Sequence, residues 1–354
     1  MGYRTIVAGT DGSATAGRAV DKAARLAKIT GARLVLVSAV PAEAPSDEEA
    51  QRVLREAQAS VRRRGVKAEI LSPEGRPGDV LPQVAASTAA DLIVVGSVGM
   101  GKVRRFSLGG VAEQAAHNAP CDVLIVRTER EDEGPPRKLV YKGLVVGTDG
   151  SPTASEAVRK AFDLGMVLET KITVVYVAGD PLIGAIVLEK AKAAKPDWVP
   201  VETRLVKEGE PAGAIAQLAE SGVADLIVVG NKGMAGARRF ALTSVPVHLA
   251  HKAARDVLIA KTTDRSLEDL SPGHGGLVMV EGKKLAVYIE ENGTHHFLSP
   301  RCQHMGCTVD WNGGDQSWDC PCHGSRYRFD GKVFHGPAKR DLDAADINPQ
   351  RYSG

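Results

Sequence analysis

The sequence predicts a multi-domain chain, with two α/β domains that each contain a doubly wound parallel sheet, followed by a small antiparallel β domain. Three observations support this. The first 262 residues contain an internal repeat, short apolar runs alternate with amphipathic segments inside each copy, and from Leu277 the pattern changes to short strands with tight turns. The predicted domains are residues 1–128, 139–262 and 274–354.

Two pairs of segments define the repeat. The segment TIVAGTDGS at 5–13 recurs as GLVVGTDGS at 143–151, and DLIVVG at 91–96 recurs unchanged at 225–230. The offset is 138 at the first match and 134 at the second, so the second copy has lost four residues in its middle. We therefore expect both copies to have the same fold.

The first copy shows how strands and helices alternate. Its continuous apolar runs predict buried parallel strands at 5–8, 33–37, 68–71, 91–95 and 123–126. The segments between them predict helices at 16–29, 47–64, 79–87 and 108–118. Repeated strand–helix–strand units give a parallel sheet with helices on both faces. Ligands of such sheets bind at the carboxyl ends of the strands, near the switch in strand order.

A glycine pattern follows the fourth strand of each copy. It consists of Gly96, Gly99, Gly109 and Gly110 in the first copy, and of Gly230, Gly233, Thr243 and Ser244 in the second. This spacing resembles the universal stress protein family, whose nucleotide-binding members carry Gly-x-x-Gly, nine residues and Gly-Ser/Thr at this place. The resemblance covers both copies nearly end to end. It implies ATP as a ligand, with Asp11 and Asp149 facing the adenosine and backbone N–H groups around the phosphates.

Each copy departs from the family pattern at one position. The first has Gly110 where a hydroxyl is expected, and the second has Thr243 where the third glycine belongs. A Cβ at Thr243 crowds the close backbone approach that glycine allows, whereas a missing hydroxyl removes only one hydrogen bond. We therefore expect ATP in the first copy before the second. A plain turn after a strand also accounts for the glycines, and that alternative stays open. The arginine pairs 104–105 and 238–239 are either phosphate contacts or a solvated basic face.

The most specific motif lies in the last domain, where four of the five cysteines fall within 21 positions. The motif reads Cys302-Gln-His304-Met-Gly-Cys307, then twelve residues, then Cys320-Pro-Cys322-His323-Gly-Ser325. Cys-x-His followed by Cys-x-x-His offers two thiolates and two imidazoles, and each of the two loops supplies one thiolate and one imidazole.

This two-box motif resembles that of the Rieske family. The resemblance implies a 2Fe–2S cluster with Cys302 and Cys320 on one iron, and His304 and His323 on the other. A structural zinc site and a domain held only by disulfides are the alternatives. Zinc fingers, however, pair cysteines with cysteines and histidines with histidines, and a disulfide-only domain leaves both histidines unexplained.

The same resemblance implies roles for four further residues. Cys307 and Cys322 match the pair that forms a disulfide between the cluster loops in high-potential members, a pair that oxygenase-type members lack. Ser325 and Tyr327 match positions whose hydroxyls donate hydrogen bonds to a bridging sulfide and to a ligand cysteine, which raises the reduction potential. The segment 336–338, Gly-Pro-Ala, resembles the third loop that covers Rieske clusters.

Composition limits the class of protein. The chain is 43% hydrophobic and 25% charged, which is ordinary for a globular protein, and its formal net charge is +2. With 4% aromatic residues and this charge, we expect neither a nucleic acid nor an anionic membrane as partner. There is no apolar run of membrane-spanning length and no leader-like start, so we expect a cytoplasmic protein. A disulfide would be unusual in that reducing compartment.

The expected function is single-electron transfer by a Rieske-type domain fused to tandem stress-type domains that bind ATP. We expect an electron-transfer component rather than a stand-alone catalyst, with a reductase or oxidoreductase as its redox partner and a homodimer through the stress-type domains. The other histidines lack carboxylate partners at the spacing of a mononuclear iron site, so an oxygenase is not expected. The alternative is a redox or nucleotide stress sensor, or a scaffold, with no electron-transfer turnover.

Overall fold

The computed structural model describes most of the chain, and every structural statement below concerns the residues that it describes. These are residues 2–41, 47–97, 108–127, 140–177, 180–196, 199–231, 244–261, 267, 270–281, 283–320, 323–347 and 349–352. The chain forms two compact units that separate after Lys261.

The first copy of the repeat forms the predicted alternation of strands and helices. Its elements are β1 (Thr5–Gly9), α1 (Ala14–Thr30), β2 (Arg33–Val37), α2 (Glu48–Arg63), β3 (Ala68–Leu71), α3 (Pro77–Ser87), β4 (Leu92–Gly96), α4 (Gly110–Asn118) and β5 (Asp122–Val126). Helix α1 begins where the Ser13 hydroxyl accepts a hydrogen bond from the Ala16 N–H, and it ends at Gly31, which has φ of 73°.

The second copy repeats this order. Its elements are β6 (Gly143–Gly147), α5 (Pro152–Leu168), β7 (Lys171–Val177), α6 (Pro181–Ala193), β8 (Val201–Val206), α7 (Pro211–Leu218), a π-helical turn (Ala219–Val223), β9 (Leu226–Gly230), α8 (Val245–Lys252) and β10 (Asp256–Ala260). Ser151 caps α5 as Ser13 caps α1. The repeat found in the sequence is therefore a repeat of structure.

The two copies share one ten-stranded sheet. The strand order is β3-β2-β1-β4-β5-β10-β9-β6-β7-β8, and strands are parallel within each copy. Strand β10 pairs antiparallel with β5, with Leu258 opposite Leu124. All five residues of each of these strands are buried. A strand buried on both faces is poorly suited to be a solvent-exposed edge, so the copies pair edge to edge. The sequence predicts the two parallel sheets but not their continuity.

The sheet is covered on both faces. On one face α1 and α5 pack over residues such as Ile6, Leu92 and Leu144, and on the other α3, α4, α7 and α8 pack over residues such as Ile93 and Val145. The order of strands reverses between β1 and β4, and again between β6 and β9. These are the two places where a doubly wound sheet opens a crevice at its carboxyl edge.

The second unit consists of two small antiparallel sheets. The first contains β11 (Gly275–Val280), β12 (Lys283–Ile289) and β13 (His295–Leu298). The second contains β14 (Asp310–Asn312), β15 (Ser317–Asp319), β16 (Arg326–Arg328) and β17 (Val333–His335), and a 3₁₀ turn (Pro349–Tyr352) follows. The antiparallel domain is confirmed. The second sheet was not predicted, because three-residue strands are too short to show an alternating pattern.

Across the described ranges, no helix combines the length and the apolar character that crossing a membrane requires.

Candidate metal centre

Two short loops of the second unit carry the predicted ligands, and backbone hydrogen bonds close each loop. In the first loop the Cys302 N–H donates to the Cys307 carbonyl at 2.8 Å, and the Gly306 N–H donates back to the Cys302 carbonyl at 2.8 Å. In the second loop the Cys320 N–H donates to the Ser325 carbonyl at 2.7 Å. This second loop connects β15 to β16, where Trp318 lies opposite Tyr327. The ligand residues are thus fixed by loop geometry and by a hairpin.

The two predicted thiol ligands lie together in the core of the unit. Cys302 is 2% exposed and Cys320 is 1% exposed, and their side chains are within hydrogen-bonding reach of each other. The Tyr327 hydroxyl lies 3.1 Å from Cys302 Sγ and accepts a hydrogen bond from the Gln303 N–H at 3.0 Å. Because it accepts from Gln303, this hydroxyl can direct its own proton to the sulfur.

The surroundings of Cys302 favour a thiolate. Burial opposes the charged form, but hydrogen bonds from the Tyr327 hydroxyl, the His304 backbone and the side chains of Cys320 and Ser325 outweigh it, so the pKa of the Cys302 thiol is lowered. Burial and the neighbouring sulfur raise the pKa of Tyr327, which therefore remains a donor. A deprotonated cysteine is the form that binds iron.

The two imidazoles lie at the surface of the same site. His304 and His323 are both exposed, and their ring centroids are 4.8 Å apart with an interplanar angle of 84°. The four residues are therefore arranged as a buried thiol pair and an exposed imidazole pair. Within the described residues, no three His, Cys, Asp or Glu side chains are grouped around one ion position. A binuclear cluster takes its protein ligands as two such pairs, whereas a tetrahedral zinc takes all four around one point.

A third loop is attached to the site through Ser325. The Ala338 N–H donates to Ser325 Oγ at 3.0 Å, and Ser325 is fully buried. The peptide bond between Gly336 and Pro337 is cis. Because Ser325 Oγ accepts from Ala338, its proton is available to the sulfur of Cys302. The loop expected to cover the cluster therefore also orients one of the hydroxyls expected to tune it.

Sequence analysis did not identify the residues that support these loops. Asp319, 2% exposed, accepts hydrogen bonds from Ser317 Oγ at 2.8 Å, Asn312 Nδ2 at 2.9 Å and Arg326 Nε at 3.0 Å. These bonds join β14, β15 and β16 beneath the ligand hairpin. The sequence contained one signal: Asp319 lies between the two buried residues Trp318 and Cys320, where a carboxylate needs partners.

Replacing Tyr327 by phenylalanine should lower the reduction potential of the centre. The change keeps the ring, which is fully buried, and removes the hydroxyl that faces Cys302 Sγ. We expect a fall of about 60 mV, which corresponds to a tenfold change in the equilibrium constant for one electron. A potentiometric titration of both proteins measures it. Tyr288→Phe, which removes a hydroxyl from another tyrosine of the same core, is the control and should leave the potential within error. An unchanged potential in Tyr327→Phe would contradict the tuning role.

The described residues of the first candidate nucleotide site meet at one corner of the large sheet. Asp11 follows β1 and Gly96 ends β4, and these strands are neighbours. The Asp11 carboxylate accepts a hydrogen bond from the Ser13 N–H at 3.0 Å, so it also orders the turn that begins α1. A Cβ at Gly96 would lie 3.1 Å from the Thr15 carbonyl oxygen, so a larger residue here would press against the start of α1. The Gly109 N–H donates to the Ser97 carbonyl at 2.8 Å, which places the start of α4 at the same corner.

The second candidate site has the same construction. Asp149 accepts from the Ser151 N–H at 2.9 Å, and a Cβ at Gly230 would lie 2.7 Å from the Thr153 carbonyl oxygen. Ser244 directly precedes α8, as Gly109 precedes α4. Several predicted residues lie outside the described ranges, namely Gly99, Arg104, Arg105, Gly233, Arg238, Arg239, Thr243 and Cys322. Gly110, the first residue of α4, is described, and a Cβ there would meet open space.

Family comparison divides the chain as the repeat and the motif do. Residues 2–127 and 141–261 match the universal stress protein family, and residues 261–346 match the Rieske [2Fe-2S] domain. A universal stress protein from Archaeoglobus fulgidus DSM 4304 has a similar structure, with a TM-score of 0.59 at 20% identity, over 73% of this chain and 98% of that one. At this identity the similarity establishes the fold alone.

Two individual relatives that are named as iron-sulfur proteins each match about a quarter of the chain. The chain is 41% identical over 85 residues to YhfW of Bacillus subtilis (strain 168), whose name is that of a Rieske 2Fe-2S iron-sulfur protein; the match covers 24% of this chain and 17% of YhfW. It is 37% identical over 97 residues to the cytochrome b6-f complex iron-sulfur subunit 1 of Synechocystis sp. (strain ATCC 27184 / PCC 6803 / Kazusa), covering 27% of this chain and 54% of that subunit. The chain thus spans about a sixth of the first relative and about half of the second.

Proposed function

Because the chain belongs to the universal stress protein family and carries a Rieske [2Fe-2S] domain at residues 261–346, we propose that it transfers single electrons through a 2Fe–2S cluster held by Cys302, His304, Cys320 and His323. The main support is the pairing of side chains, with two buried thiols on the inside and two exposed imidazoles at the surface. Similarity to an iron-sulfur subunit of a cytochrome complex supports the same function.

Different residues of the chain have different roles at this site. When bound, the cluster accepts and returns one electron. Cys302 and Cys320 anchor it in the core, with Tyr327 and Ser325 donating hydrogen bonds to sulfur. These bonds stabilise negative charge and therefore favour the reduced state. The exposed edges of His304 and His323 offer the partner the shortest route to the cluster. Met305, 59% exposed, adds an apolar contact beside them.

Electron transfer is tested by coupling the full chain to an electron supply and an acceptor. NADH with a flavin-containing reductase supplies electrons, and cytochrome c reports the electrons that leave the cluster. We expect cytochrome c reduction to rise in proportion to the added protein and to fall to the background rate when His304→Ala replaces it. A cluster that is reduced but does not pass its electron on within seconds would contradict the proposal. That result would favour the alternative, a redox or nucleotide stress sensor without turnover.

We propose that Cys307 and Cys322 form a disulfide between the two cluster loops. Cys307 is 7% exposed, and among the described cysteines Cys121, Cys302 and Cys320 are not part of a disulfide. Cys307→Ser should therefore loosen the loops without removing a ligand. A loop of about fifteen residues closed by such a bond is worth about 3 kcal/mol. We expect faster loss of the cluster on heating or chelation, measured by the decay of its visible absorbance. Cys121→Ser, at a buried cysteine of the other unit, is the matched control. Equal decay rates in the two variants would contradict the bond.

We propose that the stress-type domains bind ATP, and that the first copy binds it more tightly. Asp11, Gly96, Gly99, Gly109 and Gly110 form the first site, and Asp149, Gly230, Gly233 and Ser244 form the second. The support is the meeting of strand ends and a helix start at one corner of each copy. Calorimetry should show binding that is lost in Gly99→Val and largely kept in Gly233→Val. Loss of binding in the second variant alone would contradict the asymmetry.

We propose that the protein is cytoplasmic and that a reductase or oxidoreductase is its redox partner.

A homodimer through the stress-type domains would need a surface other than β5 and β10, since these strands pair with each other. The outer face of α6 is such a surface, because Leu182, Ile183 and Ile186 are 71%, 52% and 63% exposed. The matching helix α2 carries charged residues there, with Arg52 paired to Glu49 and Glu56.

A further inference from the structure

A lysine from the second copy caps a helix of the first copy. Lys261 directly follows β10, and its ammonium donates hydrogen bonds to the carbonyl oxygens of Ala116 at 2.5 Å and His117 at 3.4 Å. Both carbonyls belong to the last turn of α4, where a helix cannot pair its own C=O groups. Lys261 is only 5% exposed. A nearly buried cation therefore meets the negative end of a helix dipole.

An arginine of the first copy makes the reciprocal contact. Arg127 precedes Lys261 by the repeat offset and directly follows β5. Its guanidinium donates to the carbonyl oxygen of Leu249 at 2.9 Å and also to that of Ala250, in the last turn of α8. Each copy thus uses the residue after its last strand to cap the last turn of a helix in the other copy.

Two buried aspartates bind the backbone of Lys261 and Arg127. Asp122, the first residue of β5, accepts the Lys261 backbone N–H at 2.9 Å and the Tyr3 hydroxyl at 3.0 Å. Asp256, the first residue of β10, accepts the Arg127 backbone N–H at 2.8 Å and the Tyr141 hydroxyl at 2.8 Å. The backbone positions of both capping residues are therefore set by the antiparallel pair of strands β5 and β10.

The capped helices are those whose other ends form the candidate nucleotide sites. Helix α4 has nine residues and follows Gly109, and α8 has eight residues and follows Ser244. A helix of this length is about 12–14 Å long, so the capped end and the phosphate end are only about two turns apart. Ordering one end of so short a helix also orders the N–H groups at the other end.

We propose that Lys261 and Arg127 are positioning residues, each of which sets the nucleotide affinity of the opposite copy's site, so that the two sites are coupled. The inference rests on the proposed nucleotide binding. Lys261 acts on the first site through α4, and Arg127 acts on the second site through α8. Lys261 and Arg127 directly follow β10 and β5, and these two strands pair with each other. A nucleotide that orders one helix therefore stabilises the strand pair, and with it the residue that caps the other helix. Coupling of this kind is reciprocal.

The test compares Lys261→Met and Arg127→Met in the full chain. Methionine keeps an unbranched stem and the backbone N–H that binds the aspartate, and it removes only the capping cation. Hydrogen exchange, measured without nucleotide, should rise in α4 for Lys261→Met and in α8 for Arg127→Met. ATP affinity at the first site should fall about tenfold in Lys261→Met, within the range for losing a partly buried cation at a helix end. It should change much less in Arg127→Met.

Two further variants serve as a rescue and as a control. Lys261→Arg should restore both exchange protection and affinity, and Lys171→Met, at an exposed lysine that pairs with Glu202, should change neither. Increased exchange confined to the helix of the mutated residue's own copy, or an unchanged ATP affinity in Lys261→Met, would overturn the coupling while nucleotide binding stands. Wild-type protein that binds no ATP would overturn nucleotide binding and, with it, the coupling.

Discussion

Replacing His304 by alanine is expected to abolish the iron–sulfur cluster and leave the first unit folded. In the proposed ligand set the imidazole pair supplies both protein ligands of one iron, and a single remaining imidazole would not hold that iron. The two units have separate hydrophobic cores, because Cys302, Cys320 and Trp318 pack in the second unit whereas Ile6, Leu92 and Leu144 pack in the first. Iron and sulfide analysis should fall from two of each per chain to near zero. Circular dichroism should retain the helical signal of the first unit.

The matched control for this change is His274→Ala. His274 is an exposed histidine of the same unit, and its ring contacts the Pro272 carbonyl at the start of β11. The control should keep its full iron and sulfide content. A His304→Ala protein that retains the cluster would show that another residue supplies the ligand, and the proposed ligand set would then be wrong.

Replacing Asp122 by alanine should destabilise the first unit by about 3–5 kcal/mol, the usual result of removing one partner from a buried charged pair. Asp122 is 2% exposed and lies 3.0 Å from Lys160 Nζ. The change leaves the Tyr3 hydroxyl, the Lys160 ammonium and the Lys261 N–H without their acceptor. Calorimetry of the full chain should show the transition of the large unit lowered by about 6–20 °C, given about 2–4 °C per kcal/mol for a unit of this size.

The charges of this pair contribute less than their hydrogen bonds do. Burial raises the pKa of Asp122 even beside Lys160, whereas the carboxylate raises the pKa of Lys160 against its own burial. The aspartate is the more deeply buried of the two, and the attraction of Lys160 does not fully offset its loss of hydration. The double variant Asp122→Asn with Lys160→Met should therefore retain most of the stability. Equal losses in the double variant and in Asp122→Ala would contradict this explanation.

The repeat and the cysteine–histidine boxes allowed much of the structure to be predicted. The apolar run 33–37 became a strand with the predicted bounds, and four of its five residues are buried. The run 68–71 also has the predicted bounds, but the prediction of a buried strand there was wrong, because β3 lies at the edge of the sheet and none of its residues is buried. The spacing of Cys302, His304, Cys320 and His323 placed four ligands on two loops, and the structure brings those loops together.

What the sequence did not predict depends on contacts between distant segments. Continuity of the ten-stranded sheet follows from the pairing of β5 with β10, each of which is the last strand in the order of its own copy. The repeat does contain residues that indicate the contact between β5 and β10. The pairs Tyr3 and Tyr141, Asp122 and Asp256, and Lys22 and Lys160 recur between copies at the repeat offsets. Recurring polar residues beside buried strands indicate partners, but a sequence alone does not say that the partners lie in the other copy.

The most direct test of the central claim is an analysis of the metal content and redox behaviour of the anaerobically purified full chain. We expect two iron and two acid-labile sulfides per chain, one-electron reduction, and a reduced-state electron paramagnetic resonance spectrum of a cluster with mixed cysteine and histidine ligation. One zinc per chain, with no sulfide and no redox signal, would contradict it.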